Sequence, residues 1–124
     1  MTKQPNPELW IKLILPGVGQ VGPGKIELLR RINECQSMAA AARSMDMSYR
    51  RAWLLVDEMN KLFDRPVVAK WQGGKSRGGA SLTRFGEKLV ESFDELVGQA
   101  NDVNRTLLDE LGRSAGRLRS RKRA

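Results

Sequence analysis

The chain has no histidine and only one cysteine among its 124 residues. The usual zinc sites need several His or Cys ligands, and Ser-His or Cys-His nucleophile pairs need an imidazole base. The sequence therefore excludes both kinds of site. It also excludes an internal disulfide, because Cys35 has no second cysteine to pair with. Since the commonest catalytic base is missing as well, we expect a protein that is not an enzyme.

Long apolar runs are missing too. The longest uncharged stretch, residues 13–24, has 12 residues and contains two prolines, whereas a membrane span needs about 20 apolar residues. The first residues include lysine, prolines and glutamate before any apolar stretch, which does not match an export signal. We therefore expect a cytoplasmic protein that has no membrane as a partner.

Aromatic residues make up only 6% of the chain, but 40% hydrophobic and 29% charged residues are typical of a folded soluble protein. The length fits a single domain, which we place at residues 1–112. Residues 113–124 carry six cations, no anion and one sizeable apolar side chain, Leu118. This composition predicts a basic, disordered tail, which serves either as a non-specific grip on DNA or as a solubilising end.

Charge of one sign dominates, and it is segregated along the chain. Lys and Arg number 22 against 14 Asp and Glu, a formal net charge of +8. Cations are in excess in residues 37–83 and in the tail, and anions are in excess in residues 84–112. We expect the basic segments to contact a polyanion. The carboxylates of residues 84–112 most simply form the solvent-exposed face of a helix. Their negative charge would keep that helix away from the polyanion.

The first part of the chain predicts a strand, a loop and a helix. Residues 9–15 are apolar apart from one lysine and predict a strand. The glycines and prolines that follow predict a loop. Pro23 suits the first residue of a helix, and apolar residues at helical spacing continue that helix to about Cys35.

Two further helices are predicted with a short turn between them, which is the helix-turn-helix arrangement. Ser37 and Ser48 are good N-caps, and each precedes an apolar stripe at helical spacing. Asp46 lies in the turn, where this motif often has glycine, but aspartate also tolerates the left-handed conformation. The helix that begins after Ser48 is expected to end near Asp64, because Arg65 precedes a proline and favours an extended backbone.

The helix after Ser48 has a core face and an opposite, basic face. The core face is made by Ala52, Val56, Met59 and Phe63. The opposite face carries Arg50, Leu54, Asp57 and Lys61, with Arg51 and Glu58 on one side of it and Trp53 on the other. Such a face can simply be solvated. A solvated face has no need of Leu54 and Trp53, however, so the pattern favours a binding surface.

A basic β-hairpin is predicted after Pro66. Residues 67–71 alternate as a strand, residues 72–79 hold four glycines and two cations, and residues 80–83 can return as a second strand. A plain flexible loop would leave Lys75 and Arg77 at the tip without a role. Gly74-Lys75-Ser76 looks like the end of a phosphate-binding P-loop. The glycine that the P-loop motif requires earlier is replaced by Ala69, so nucleotide hydrolysis is not expected.

The last predicted element is a helix of about 28 residues that begins at Thr83 and has a heptad-like apolar seam over nearly three heptads. The seam consists of Leu89, Phe93, Leu96, Ala100, Val103 and Leu107. Such a helix extends about 40 Å, which is more than a domain of this size can cover. The part of the apolar seam that the domain cannot cover favours a second copy of the chain as partner. The alternative is a core helix within one chain.

A helix-turn-helix followed by a basic hairpin is a winged helix, and the residues resemble a known family at this point. The runs SYRRAW, DEMN and GGKSRGGASLTRFG resemble the DNA-binding domain of the ModE family of molybdate-responsive transcriptional regulators. The resemblance implies a mainly α fold with a small β wing, a LysR-type winged helix-turn-helix and a long C-terminal dimerisation helix. It also implies a homodimer that binds double-stranded DNA. By position, the expected recognition-helix residues are Ser48, Tyr49, Arg50, Arg51, Trp53, Leu54 and Lys61, and the expected wing residues are Gly73, Gly74, Lys75 and Arg77.

The resemblance implies a dimeric repressor or activator linked to molybdenum metabolism. Full-length members of the family look like this domain followed by a molybdate-binding region, whereas this sequence stops at Ala124. We therefore expect no molybdate site and no cofactor bound by this chain. Two other functions stay open. One is a sequence-independent architectural protein that binds nucleic acid, and the other is a protein–protein adaptor that uses the long helix.

Overall fold

The computed structural model describes residues 6–73 and 76–123. It divides into two compact units, one formed by Ile11–Phe93 and the other by Met1–Trp10 together with Asp94–Ala124. Residue 112, the predicted boundary between domain and tail, lies within a helix.

The described chain contains five helices and two small antiparallel sheets. In chain order the elements are β1 (Leu13–Leu15), β2 (Gly19–Val21), α1 (Pro23–Cys35), α2 (Met38–Ser44), α3 (Tyr49–Asn60), β3 (Val68–Gly73), β4 (Ser76–Leu82), α4 (Arg84–Val103) and α5 (Arg105–Arg123). The predicted fold class, mainly α with a β hairpin behind a helix-turn-helix, is confirmed. None of the helices in this part of the chain is long and apolar enough to cross a membrane.

The region before α1 differs from the prediction. The expected strand over residues 9–15 is reduced to β1, and a second strand, β2, lies where a loop was expected. Gly17 has φ of 75°, and the N–H of Val18 donates to the carbonyl of Leu15 at 2.9 Å. This tight turn folds the chain back so that Leu13 pairs with Val21. A glycine-rich segment thus becomes a strand through its pairing with β1 rather than through its own propensity.

Apolar side chains from α1, α2 and α3 form the core of the larger unit. Those contributed by these helices are Ile26, Leu28, Leu29, Ile32, Met38, Ala41, Ala42, Ala52, Val56 and Met59. Burying one large aliphatic side chain contributes about 1.5–3 kcal/mol. The small side chains of Ala41 and Ala42 keep the contact side of α2 flat, which lets its neighbours approach closely.

The predicted caps and turn of the helix-turn-helix are confirmed. The hydroxyl of Ser37 accepts a hydrogen bond from the N–H of Ala40 at 3.1 Å, and that of Ser48 accepts from the N–H of Arg51 at 3.0 Å. Asp46 has φ of 55°, so the turn does use the left-handed conformation there. Both helices therefore begin where the sequence places them.

The end of α3 comes earlier than predicted, at Asn60 rather than near Asp64. Phe63 consequently lies outside the helix and is half-buried, with its ring packed edge-on against Phe85 at 5.1 Å between centroids. Lys61 is the C-cap residue of α3 and is no longer part of the helix face on which it was predicted. The helix ends in a tighter turn: the N–H of Lys61 donates to the carbonyl of Glu58 and that of Leu62 to the carbonyl of Met59, each at 3.1 Å, so the bonds reach back three residues instead of four.

The β3–β4 hairpin is antiparallel, with Val68 opposite Leu82 and Lys70 opposite Ala80. The N–H of Ala80 donates to the carbonyl of Gln36 at 3.3 Å, which ties β4 to the end of α1. Opposite Trp71 lies Gly79, where a Cβ atom would collide with the indole ring. Glycine is needed at this position because the ring lies directly over the backbone.

The predicted final helix is interrupted. α4 ends at Val103, Asn104 adopts a turn, and α5 follows from Arg105. The Asn104 side chain donates to the carbonyl of Ala100 at 2.7 Å, so it bonds the backbone one turn earlier. α5 continues to Arg123 and so includes residues 113–123 of the predicted tail. Arg, Leu, Lys and Ala have high helix propensity, and the preceding turns supply the nucleus that helix growth requires.

In the smaller unit, an extended segment near the N-terminus is held by α4 and α5. The N–H of Leu9 donates to the Asn101 side chain at 2.6 Å, and the Arg105 guanidinium donates to the carbonyl of Pro7. Pro7 also packs so closely over Gly112 that a Cβ atom there would overlap its ring. These contacts fix residues 7–9 within this unit.

Candidate nucleic-acid interface

The first turns of α3 present a row of exposed side chains. Tyr49 is 55% exposed, Trp53 38% and Leu54 48%, and Arg50 and Arg51 are also exposed. The buried residues Ala52, Val56 and Met59 fix which side of α3 faces the core, so these five side chains must point outward. The structure therefore brings the predicted residues of this helix together on one surface.

Ser48 contributes to this surface mainly as a cap. Its hydroxyl oxygen accepts from the Arg51 N–H and so fixes the start of α3. The hydroxyl hydrogen of an N-cap serine stays available as a donor. The N-terminus of a helix also carries partial positive charge, which adds to the field of the arginines.

The two arginines are the uncompensated charges of the surface. Among the described residues, no carboxylate lies within 4.0 Å of the guanidinium of Arg50 or Arg51. Lys61 differs from them, because its ammonium is 3.0 Å from the carboxylate of Asp57. Lys61 is thus the C-cap residue of α3 and is paired, and its part in DNA binding stays a prediction from the sequence.

Negative charge is confined to the other end of α3. Glu58 lies 3.1 Å from Lys25, and Asp57 is paired with Lys61. A shallow open groove along this end is lined by Arg51, Leu54, Leu55, Asp57, Glu58 and Lys61. Positive charge is therefore concentrated at the N-terminal end of α3, and the groove is too open to enclose a small molecule.

The residues proposed for the wing tip are only partly covered. Gly73 ends β3 and Arg77 lies in β4, which places both in the hairpin backbone. Gly74 and Lys75, and the side chain of Arg77, lie outside the described residues. The role of the wing tip stays a prediction from the sequence.

Sequence reasoning missed Lys70 of β3. Its Nζ atom lies 5.1 Å from the centroid of the Trp53 ring, so a cation of the hairpin contacts an aromatic side chain of α3. The alternation in residues 67–71 gave a usable signal, because Lys70 shares a strand face with the buried Val68. Only the cations of the glycine-rich tip were predicted to contact DNA.

The apolar seam predicted for the last helix divides into buried and exposed parts. Leu89 and Phe93 are buried in the larger unit, at 7% and 5% exposure, so they are core residues of this chain rather than an exposed contact surface. Within the smaller unit, Leu96, Val103 and Leu107 are exposed, and Ala100 is half-buried. Heptad spacing alone cannot separate these two environments, since a core face and a partner face have the same period.

The described residues hold no group of three or more His, Cys, Asp or Glu side chains arranged for a metal ion. The hydrogen bond that Arg31 donates to Glu27 raises the pKa of the Arg31 guanidinium. Arg31 also donates to the backbone carbonyl and hydroxyl of Ser44 at 2.9 and 3.0 Å, so it links α1 to the end of α2. Its role is structural.

Comparison with known proteins shows what the chain is similar to. No family model matches the chain. Transcriptional regulator ModE of Haemophilus influenzae is 32% identical over 105 residues, which are 85% of this chain and 41% of that protein. The DNA-binding transcriptional dual regulator ModE of Escherichia coli is 39% identical over 75 residues, 60% of this chain and 29% of that protein. Molybdenum-pterin-binding protein MopB of Rhodobacter capsulatus is 43% identical over 74 residues, 60% of this chain and 27% of that protein.

The chain thus spans less than half the length of these curated relatives. Within the aligned segment, the similarities confirm the resemblance that the sequence motifs indicated. Over this segment, the chain is similar to transcriptional regulators of the ModE family.

Proposed function

We propose that the chain is a sequence-specific, double-stranded-DNA-binding transcriptional regulator of the ModE type. The observation that carries the proposal is the pair of exposed, uncompensated arginines on the capped first turn of α3. An α-helix fits the major groove of B-DNA, and its N-terminal residues reach the base edges. The names of the relatives, which are those of transcriptional regulators, support this function.

Each side chain of the α3 surface has chemistry that suits a part of the duplex. Arg50 and Arg51 can each donate two hydrogen bonds to a guanine, which is the commonest specific contact in the major groove. Trp53 and Leu54 offer apolar contact to thymine methyl groups or sugars. Ser48 and Tyr49 can donate hydroxyl hydrogen bonds to phosphate oxygens, which position the protein without reading sequence.

Selection of binding sites from random DNA tests the proposal directly. In a titration against the selected site, Arg50→Ala should reduce discrimination from random DNA by about 5- to 100-fold, which corresponds to one lost bidentate contact. Arg84→Ala is the matched control, because it removes an exposed arginine outside α3 and the hairpin. Equal losses on both DNAs for Arg50→Ala would remove this residue from base readout.

The wing is proposed to contact phosphates through Lys75 and Arg77. Phosphate contacts depend on salt, and each one adds about 0.9 to the slope of log affinity against log salt concentration. Arg77→Ala should therefore weaken binding to selected and random DNA alike and lower this slope by about one. An unchanged slope would contradict a phosphate contact.

A homodimer is proposed, with the exposed part of the α4–α5 seam as the contact between copies. Leu96 is 52% exposed, Val103 81% and Leu107 61%, which is unusual for three apolar side chains at heptad-like spacing. Two recognition helices would then read half-sites about one helical turn apart, or a multiple of this. Leu107→Glu should shift the protein to a monomer in sedimentation analysis. A monomeric wild type at micromolar concentration would refute the proposal.

We propose that this segment binds DNA without a cofactor, because the groups proposed to contact the bases and phosphates are its own side chains. Isothermal calorimetry with molybdate tests this, and measurable binding would contradict it. The architectural alternative predicts equal affinity for selected and random DNA. The adaptor alternative predicts no DNA binding at all, so one competition experiment separates the three functions.

A further inference from the structure

We propose that Lys70 is a positioning residue whose ammonium group, held against the face of Trp53, fixes the β3 strand of the wing relative to the recognition helix α3. The inference rests on the proposed function, and it adds a residue for which neither the sequence motifs nor the relatives suggest a role. If Lys70 has this role, its contact with Trp53 helps to fix the distance between the wing, which is proposed to bind phosphates, and α3, which is proposed to bind bases.

The geometry is that of a cation–π interaction. The Nζ atom of Lys70 is 5.1 Å from the centroid of the Trp53 ring, and cations within about 6 Å of a ring centroid are attracted to its face. Trp53 remains 38% exposed. Part of its surface is therefore still open to DNA.

This contact lies closer to the tip of the hairpin than the hydrogen bonds that join α3 to the start of the hairpin. The described hydrogen bonds between α3 and the start of the hairpin come from Asn60, which bonds the backbone of Val67 and Val68. Lys70 lies two residues further toward the tip. The antiparallel register becomes irregular immediately beyond it, between Trp71 and Gly73. The contact with Trp53 thus holds the strand at the last regular part of β3, before the glycine-rich tip.

Lysine is suited to this task because its stem and its charge act at different places. The four-carbon stem packs along apolar surface, and the ammonium group has three donors. One face of the ammonium can rest on the indole while its donors remain free for water or a phosphate oxygen. A direct phosphate contact alone would not need Trp53, and this difference makes the two roles separable.

A double-mutant cycle tests the proposal. Lys70→Met keeps a long unbranched stem but removes the charge, and Trp53→Leu removes the ring. We expect Lys70→Met to weaken binding to the selected site by about two- to five-fold, the range of an exposed cation–π contact. Lys70→Met should have no further effect in the Trp53→Leu background. Lys70→Arg should bind within about two-fold of wild type, because arginine also rests on aromatic faces.

Lys88→Met is the matched control, since it removes an exposed lysine of α4 outside the proposed interface. Its loss of affinity should be smaller than that of Lys70→Met. Equal losses for the two variants would show a general charge effect and overturn the proposal. Fully additive losses in the cycle would show that Lys70 acts independently of Trp53, and they would also overturn it.

A measurement without DNA keeps the inference separate from the proposed function. The ring current of Trp53 should move the NMR signals of the Lys70 ε-methylene protons upfield, and Trp53→Leu should abolish the shift. Absence of the shift in the wild type refutes the contact itself. A wild type that shows the shift but does not prefer its selected site refutes the proposed function. Additive losses in a wild type that does prefer it refute the positioning role alone.

Discussion

Replacement of Asn60 by alanine should destabilise the larger unit far more than a surface substitution does. The Asn60 side-chain oxygen accepts hydrogen bonds from the N–H groups of Val67 at 2.7 Å and Val68 at 3.1 Å. Its amide nitrogen donates to the carbonyl of Val68 at 3.4 Å. Val67 is fully buried and Val68 is 3% exposed, so water cannot easily replace these bonds.

The magnitude follows from the two donors that alanine would leave without a partner. A buried donor that loses its partner costs about 1–3 kcal/mol. Two neighbouring donors in one small site are expected to cost less than two isolated donors, because the site can partly rearrange around both. We therefore expect Asn60→Ala to lower the free energy of unfolding by about 2–4 kcal/mol. Asn60→Asp keeps an acceptor oxygen for both N–H groups but turns a second oxygen toward the Val68 carbonyl, so it should cost about 1–2 kcal/mol, less than Asn60→Ala.

Asn33→Ala is the matched control for this prediction. The Asn33 side chain accepts one bond from the N–H of Leu82 at 3.4 Å in an exposed setting, and its removal should cost less than about 1 kcal/mol. Urea unfolding followed by far-UV circular dichroism, at one fixed protein concentration, gives all four free energies. If Asn60→Ala is no less stable than Asn33→Ala, or if Asn60→Asp is as damaging as Asn60→Ala, the reasoning is wrong.

Further predictions concern α3 and α4, with the same unfolding measurement as readout. Gly86→Ala should cost about 1–3 kcal/mol, because the added methyl group would overlap the carbonyl of Val67. Gly98→Ala, where nothing lies within 4 Å of the new Cβ atom, should instead stabilise α4 by about 0.5–1 kcal/mol; the same sign for both glycines would refute the steric argument. Ser48→Ala should cost about 1 kcal/mol through the lost N-cap, and Ser48→Asp should restore most of it; an equal loss for both variants would exclude capping as the cause.

Features set by a few neighbouring residues could be predicted from the sequence. The starts of α2 and α3 follow from Ser37 and Ser48, because a serine cap acts on the N–H group three residues later. The left-handed turn at Asp46 is similarly local. The exposure of the α3 surface followed from the helical period, which places Arg50 and Leu54 opposite the buried Val56.

Features set by contacts between distant residues were missed or misplaced. β2 is a poor strand by composition and exists through its pairing with β1. The Asn60 side chain bonds residues seven and eight positions later, a contact that helical periodicity does not register. The apolar seam had the right period, but periodicity could not show that Phe93 is buried by its own chain while Val103 is exposed.

The two ends of α3, both of which carry runs that resemble the ModE family, have two different physical tasks. The run SYRRAW lies at the N-terminal end, where Arg50 and Trp53 are exposed and Ser48 supplies the cap. The run DEMN ends at Asn60, whose side chain is fully used by the hairpin backbone. Substitution at either end should weaken binding to a selected DNA site, but for different reasons. Arg50→Ala should change discrimination and leave the unfolding free energy unchanged, whereas Asn60→Ala should lower that free energy and let the hairpin move relative to α3. Measuring stability and discrimination on the same variants therefore separates residues that read DNA from residues that hold the reading surface in place.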